Sequence, residues 1–123
     1  MTQEDKELLL KDLSARLPYG VKVEYENNIF DIDYISSYQE IKLDDFTINY
    51  TIDTSDVKPY LFPLSSMTEG QKKEYHELIG GMFGTSALIT CEVLTDFFNK
   101  NHLDYRGLIS IELAIDATNL NIY

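Results

Sequence analysis

The 123-residue sequence contains no tryptophan, a single cysteine (Cys91) and only 10 basic residues against 21 acidic ones. One cysteine excludes an internal disulfide and is typical of a reducing compartment, so we expect a cytoplasmic protein. No apolar run approaches the roughly 20 residues that a membrane-spanning helix needs. The first residues are acidic where an export signal would be basic, so the sequence predicts neither a membrane segment nor a signal peptide.

The sequence contains enough hydrophobic residues to form the core of one domain over residues 1–123. Hydrophobic residues make up 44% of the chain, and nine tyrosines dominate the aromatic residues. A chain of this length buries roughly two-thirds of its unfolded surface on folding, so one core can form without disulfides or metals.

The negative charge is concentrated in one part of the chain. The formal net charge is −11, and residues 24–56 contribute −8 of it, from nine acids and one lysine. Such a field repels nucleic acids and anionic membranes. We therefore expect no direct nucleic-acid binding and no membrane binding. The charge suits a basic protein partner, or it serves solubility alone.

The sequence begins with the pattern of an amphipathic helix over residues 2–17. Leu9 and Leu13 lie on one apolar stripe, and Thr2 with Asp5 three positions later has the form of a capping box. A Pro-Tyr-Gly sequence then ends the helix.

Alternating apolar and polar residues predict a small antiparallel meander at about 21–53. Its strands are residues 21–25, residues 29–34, a short piece around Ile41 and Leu43, and residues 46–53. The last segment, from Phe46 to Asp53, alternates most regularly. Asn27-Asn28 is the predicted hairpin turn because asparagine tolerates positive φ. This pattern places the acids on the solvent face.

Residues 58–69, KPYLFPLSSMTE, join the strand-like half to a helical half. The two prolines predict an extended, stiff connection. Ser66 and Thr68 are each followed three residues later by Glu69 and Gln71, so both pairs have the form of a capping box.

Two helices are predicted after this join. The first has an apolar stripe and ends at the glycines at positions 80, 81 and 84; the stripe is Tyr75, Leu78, Ile79, Met82 and Phe83. The second lies within residues 86–101, and its predicted buried side is Cys91, Leu94, Phe97 and Phe98. Residues 108–116 fit either a strand or one to two helical turns, and their alternation favours the strand slightly.

The expected fold class is therefore α+β, with an N-terminal helix, a small antiparallel β-meander, two helices and a short C-terminal strand or helix. The helices should cover one face of the sheet. The predicted core consists of Leu9, Leu13, Val23, Ile32, Ile48, Ile79, Leu94 and Phe98.

Three segments together resemble a group of short uncharacterised proteins from gut anaerobic bacteria and their phages or prophages. These segments are KELLLKDLSARLPYG at 6–20, KPYLFPLSSMTE at 58–69 and FNKNHLDYRGLI at 98–109. The resemblance implies a bacterial or phage setting. It also implies that the proline join and the turn at 104–107 belong to a shared scaffold, and it assigns no activity, cofactor or site residue.

Residues with catalytic or ligand chemistry are few and far apart. The two histidines and one cysteine lack the spacing of a metal site. If the second helix continues to 101, His102 lies three turns from Cys91, and Asp104 follows it, so no nucleophile and base are adjacent. Glycines 80–84 follow a helix and do not open one, so they form no phosphate cradle. We therefore predict no catalytic residue, metal or cofactor, and a protein that is not an enzyme.

Two hypotheses of function follow. The first is a non-enzymatic accessory or protein-interaction domain, and the alternative is an acidic decoy whose carboxylates imitate DNA phosphates and occupy a DNA-binding or defence protein. The candidate interaction surface is Glu24, Glu26, Asp31, Asp33, Asp53, Tyr105 and Arg106. For Arg106 a structural role is also predicted, as the partner of an acid or of helix-end carbonyls. A deep pocket lined by His102, Asp104 and Arg106 would instead indicate an enzyme.

Overall fold

A computed structural model describes residues 1–80 and 87–123, which adopt the predicted α+β fold. The helices are α1 (Gln3–Arg16), α2 (Glu69–Gly80) and α3 (Ala87–Lys100). The strands are β1 (Lys22–Tyr25), β2 (Asn28–Ile35), β3 (Glu40–Leu43), β4 (Ile52–Asp53), β5 (Lys58–Pro63), β6 (Leu103–Asp104) and β7 (Ile115–Asp116). Within the described residues these strands form one mixed sheet in the order β4-β3-β2-β1-β5-β6, and β7 also pairs with β5.

Helix α1 begins and ends as its sequence predicts. The backbone N–H of Asp5 donates to Thr2 Oγ1 at 3.1 Å, and Thr2 N–H donates to Asp5 Oδ2 at 3.3 Å, which completes the capping box. A 3-10 turn over Leu17–Tyr19 follows the helix, and Gly20 takes the left-handed conformation with φ 76°. The helix is thus defined by contacts within a few residues of each end.

The hairpin between β1 and β2 turns one residue earlier than predicted. Tyr25 pairs with Asn28, so the turn residues are Glu26 and Asn27 rather than Asn27 and Asn28. Both turn residues have positive φ, 49° and 65°. A two-residue hairpin turn with two positive φ values matches the right-handed twist of the strands.

Strand β2 carries a bulge that reverses its alternation. Ile32 pairs with Leu43, whereas Tyr34 pairs with the next residue of β3, Lys42, which leaves Asp33 as an extra residue. Asp33 and Tyr34 are consequently both exposed, although the alternation places Tyr34 with the inward residues. Ile35 instead packs against the core.

The predicted strand over 46–53 is wrong except at its end. Residues 46–51 form a loop, and only Ile52 and Asp53 pair with β3. A turn closed by a hydrogen bond from Ile48 N–H to Asp45 O, 3.2 Å, keeps this stretch out of the ladder. Alternation alone therefore overestimates the strand, because the Asp45 turn directs the chain away from the sheet.

The proline-containing join is a central strand of the sheet, not a connection between halves. β5 pairs with β1 in the antiparallel sense through Val23 and Pro59, and with both β6 and β7 in the parallel sense. Leu61 O accepts from Ala117 N at 2.8 Å, while Phe62 N donates to His102 O at 2.8 Å. These two groups belong to one trans peptide and point in opposite directions, so β5 binds strands on both sides.

The stretch from 108 to 114 forms turns, so the preference for a strand there is wrong; β7 covers only Ile115 and Asp116. Both oxygens of the Asp104 carboxylate accept backbone N–H groups, from Leu108 and Ile109 at 2.9 Å each. This carboxylate folds the chain into turns before it can extend.

The core lies between α1, the inner sheet face and the turns at 108–114. Leu9, Leu13 and Val23 are completely buried, as predicted. Other predicted core residues are only half-buried: Ile32, Ile48, Leu94 and Phe98. Ile79 is 44% exposed, so its assignment to the core is wrong.

Helices α2 and α3 form a pair beside β6. Thr68 and Gln71 make the predicted capping box, with hydrogen bonds of 2.9 and 3.1 Å. Ser66 does not use the alternative cap and donates to Pro63 O. None of the residues of α2 is buried. The predicted helix end at Gly81 and Gly84, with Met82 and Phe83 on the stripe, lies outside the described residues.

Candidate functional site

The loop between β3 and β4 carries the most exposed large hydrophobic side chain among the described residues. Phe46 is 105% exposed, and Tyr50 of the same loop is 54% exposed. An isolated exposed apolar residue needs no explanation, whereas several together mark a contact surface. Ile29, at the adjoining end of β2, is also 51% exposed.

Hydrogen bonds hold this loop in a defined shape. Asp45 Oδ1 accepts from Thr47 N–H at 2.8 Å and from Thr47 Oγ1 at 2.7 Å. Lys42 Nζ donates to Leu43 O at 2.7 Å and to Ile48 O at 2.6 Å. The hydrogen bonds from Thr47 lower the pKa of Asp45, so this carboxylate stays ionised at neutral pH.

A cleft lies on each side of Asp45. The first has a volume of about 250 Å³ and is lined by Asp33, Lys42, Leu43, Asp44, Asp45, Phe46 and Asn49. The second has a volume of about 470 Å³ and is lined by Tyr25, Glu26, Asn28, Ile29, Phe30, Asp45, Thr47 and Ile48. We call the apolar residues Ile29, Phe46 and Tyr50, together with the acids Glu26, Asp33, Asp44 and Asp45, the loop patch.

The loop patch combines exposed apolar side chains with carboxylates. Its ionisable side chains are carboxylates and the phenol of Tyr50, whose hydrogen bond to Tyr25 raises the pKa of Tyr25 to about 12. Within residues 1–80 and 87–123, no three His, Cys, Asp or Glu side chains come close enough together to hold a metal ion.

Of the seven residues predicted for the interaction surface, Glu26 and Asp33 belong to the loop patch. Glu24 and Asp31 lie on the solvent face of the β1–β2 hairpin. Asp31 forms an ion pair with Lys22 at 3.0 Å, and Glu24 lies opposite Lys58 in the β1–β5 register. Lysines therefore interrupt the array of acids that the alternation predicts.

Asp53 contacts helix α1 and does not join the other acids in the loop patch. It forms an ion pair with Lys6 and also accepts from Ser55. These two contacts lower the pKa of Asp53 to about 2. The carboxylate thus connects the edge of the sheet to the helix.

Tyr105 and Arg106, the last two predicted surface residues, lie in a largely buried arrangement. Arg106 Nη1 donates to Asp12 Oδ1 at 2.7 Å, and Arg16 Nε donates to Asp12 Oδ2 at 2.8 Å. The two guanidinium carbons lie 4.5 and 5.3 Å from the centroid of the Tyr105 ring. We call Asp12, Arg16, Tyr105 and Arg106 the arginine network.

The arginine network connects α1 to the C-terminal segments. Asp12 and Arg16 are completely buried, and Arg16 Nη2 donates to Leu103 O in β6 at 2.7 Å. The prediction that Arg106 pairs with an acid is confirmed. Because its side chain is only 15% exposed, we assign Arg106 to the scaffold rather than to a contact surface.

His102 and Tyr123 form a second junction beside this network. Their rings stack with centroids 3.7 Å apart, and the Tyr123 hydroxyl accepts from Lys22 N–H at 2.9 Å and donates to Tyr60 O at 2.7 Å. The hydroxyl thus bridges β1 and β5 where their own pairing ends. Burial, together with the positive charges of Arg16 and Lys22, lowers the pKa of His102 to about 4.

The Cys91, His102 and Asp104 set weighed as a nucleophilic site does not share a cleft. Cys91 is exposed, so its prediction as a buried residue is wrong, and it lines a surface cleft with Glu92, Thr95 and Asp96. The carboxylate of Asp104 is occupied by backbone N–H groups. None of the three clefts described above contains His102, Asp104 or Arg106.

Comparisons with protein-family models, curated proteins and solved structures find no match to this chain. In the two described stretches of the chain, no helix combines the length and the apolar character required to span a bilayer.

Sequence reasoning missed Phe46 and Tyr50 as surface residues because it placed both on the inner face of a strand. The available signal was local: Asp45 precedes Thr47 by two residues, the spacing of a side-chain-closed turn. Two successive aspartates also disfavour a strand at that point.

Proposed function

We propose that this chain is a protein-interaction domain that presents the loop patch to a partner. The observation that carries the proposal is the full exposure of Phe46 at the tip of a hydrogen-bonded loop. Burying a side chain of this size contributes about 1.5–3 kcal/mol, which the fold of the chain does not gain here. A partner that covers Phe46 would gain it.

The shape of the loop supports this role. Thr47, Asp45 and Lys42 fix the loop by side-chain hydrogen bonds, so less conformational entropy is lost when a partner binds. Aromatic anchors surrounded by polar residues are the usual centres of protein interfaces. The acids around Phe46 would then select a partner of opposite charge.

The acidic-decoy hypothesis gains no support from this arrangement. Asp31 and Asp53 are paired with lysines, and Glu24 lies opposite another lysine in the sheet. An imitation of DNA phosphates needs unneutralised carboxylates at regular spacing.

The proposal is tested by selecting binders to the whole chain from a random peptide library. We expect selected peptides to bind wild type and to lose most of their affinity for Phe46→Ala. Tyr38→Ala is the matched control, because Tyr38 is an aromatic residue that is 85% exposed and lies in the turn between β2 and β3. The proposal fails if no peptide is enriched, or if enriched peptides bind Phe46→Ala as well as wild type.

A further inference from the structure

The arginine network shows how this molecule combines a carboxylate, an aromatic ring and a guanidinium group. Arg106 lies 4.5 Å above the centroid of Tyr105 and donates to Asp12 at 2.7 Å. A planar guanidinium can stack on a ring with its face while its edge bonds a carboxylate. An ammonium group has no such face, so lysine does not satisfy both contacts equally well.

The loop patch contains two of these three components. The ring of Phe46 is fully exposed and lines the first cleft together with the carboxylates of Asp33, Asp44 and Asp45. Lys42 lines the same cleft, but it donates to two backbone carbonyls. Three carboxylates and one ammonium leave the lining with a formal charge of −2.

The size of the first cleft indicates what kind of group it takes. Its volume of about 250 Å³ lies below the roughly 300–1,000 Å³ of common small-molecule pockets. It is therefore suited to a single side chain. The charge of its lining favours a cationic side chain.

On this basis, and resting on the proposed function, we propose that the loop patch binds an arginine-bearing basic segment of a partner protein. One guanidinium group stacks on Phe46 and donates to the carboxylates of Asp44 and Asp45. The guanidinium group replaces water on the exposed ring of Phe46, and its ion pair with the carboxylates fixes the orientation of the guanidinium plane.

The second cleft extends the same recognition along the segment. It shares Asp45 with the first cleft and adds the carboxylate of Glu26. Ile29 and Ile48 supply apolar surface beside these acids. A second basic side chain of the same segment can place its aliphatic stem on the isoleucines and its charge near Glu26.

The inference is tested with two labelled probes, a short arginine–glycine peptide and a lysine–glycine peptide of equal length and charge. Binding to the full chain is followed by fluorescence anisotropy at low and at moderate salt. We expect the arginine peptide to bind roughly two- to five-fold more tightly, because only a guanidinium can stack on the ring with its face while its edge bonds a carboxylate.

Two variants separate the ring from the charge. Phe46→Ala should abolish the preference for arginine while leaving weak, salt-sensitive binding of both peptides. Asp45→Asn keeps an oxygen that can accept from Thr47, so it preserves the loop and should weaken both peptides. Circular dichroism spectra identical to wild type confirm that both variants are folded.

Equal affinity for the two peptides, no binding of either, or an arginine preference that survives Phe46→Ala would overturn the inference. The peptide-library selection reports separately on the proposed function. If it yields Phe46-dependent binders without arginine, the interaction domain stands and the arginine inference falls. If it yields no binders, the proposed function itself falls.

Discussion

The arginine network and the loop patch both place carboxylates beside an aromatic ring, but only in the network do guanidinium groups of the same chain bond the carboxylate. In the network Asp12 is completely buried and bonds two guanidinium groups, one of them completely buried as well. In the loop patch Phe46 is fully exposed, and Asp33 and Asp44 lie at the surface. The same residue types therefore stabilise the fold in one place and are open to a partner in the other.

The two regions differ in whether the fold places guanidinium groups next to the carboxylates. Arg16 and Asp12 share one face of α1, and Arg106 arrives from a turn 94 residues further along the chain. A buried charge without its partners is strongly unfavourable, so these groups must stay together in the folded state. The acids of the loop patch are solvated and carry no such constraint.

The largest expected effect is that of Asp12→Ala, which leaves two guanidinium groups in the network without their carboxylate. We expect the free energy of unfolding to fall by about 3–5 kcal/mol. Urea denaturation measures it, with Glu7→Ala on the exposed side of α1 as the control. If Asp12→Ala does not unfold at lower urea than this control, the network is not a stabilising element; if it does not fold, Asp12→Asn provides a milder test.

Protonation of His102 should break the junction beside the network. Its pKa is about 4 in the folded chain, against 6.5 for an unperturbed histidine. The unfolded chain therefore binds more protons between these values, and the free energy of unfolding should decrease as the pH falls from 6.5 to about 4. The slope from this histidine should fade out within about one pH unit above 6.5, where neither state binds the proton.

Two histidine variants test whether the decrease in the free energy of unfolding at low pH comes from His102. In His102→Gln the part of the slope that belongs to the histidine should disappear from denaturation curves collected across that pH range. His76→Gln removes an exposed histidine of α2 and should retain it. Identical slopes in the two variants would contradict the assignment.

A smaller effect is expected for Tyr123→Phe, which removes only the hydroxyl that bridges Lys22 N–H and Tyr60 O. We expect a loss of about 1 kcal/mol, since one donor and one acceptor lose their partner. Hydrogen exchange should show faster exchange of the Lys22 amide. Tyr38→Phe, at an exposed position, is the control, and unchanged protection at Lys22 would argue against the bridge.

The smallest effect on stability is expected for Phe46→Ala, although it should have the largest effect on binding. An exposed side chain without core contacts changes the free energy of unfolding by no more than about 0.5 kcal/mol. Thermal or urea denaturation beside wild type measures this difference. A loss comparable to that of Asp12→Ala would place Phe46 in the fold and remove the contrast between the two regions.

Local signals predicted the exposure of two acids that belong to the candidate site. The acids at 26 and 33 were expected at the surface from alternation, and they line the two clefts. The exposure of Phe46 was not predicted, because a period of two describes a strand only if a partner strand is present. The pairing of β3 with β4 begins only at Ile52. Nothing within a few residues of Phe46 specifies that the strand begins six residues further along the chain.

The sequence by itself determined the start of α1, the presence of the β1–β2 hairpin and the α+β class. Capping boxes, turn residues and alternation act over two to four positions, so they can be recognised from residues that are close together in the sequence. Only the tertiary structure decided that Lys58–Pro63 is a central strand, that Asp12 and Arg16 are buried, and that Phe46 is exposed. These outcomes depend on partners such as Leu103, 87 residues from Arg16, and a local pattern does not specify which distant group completes a hydrogen bond or covers a ring.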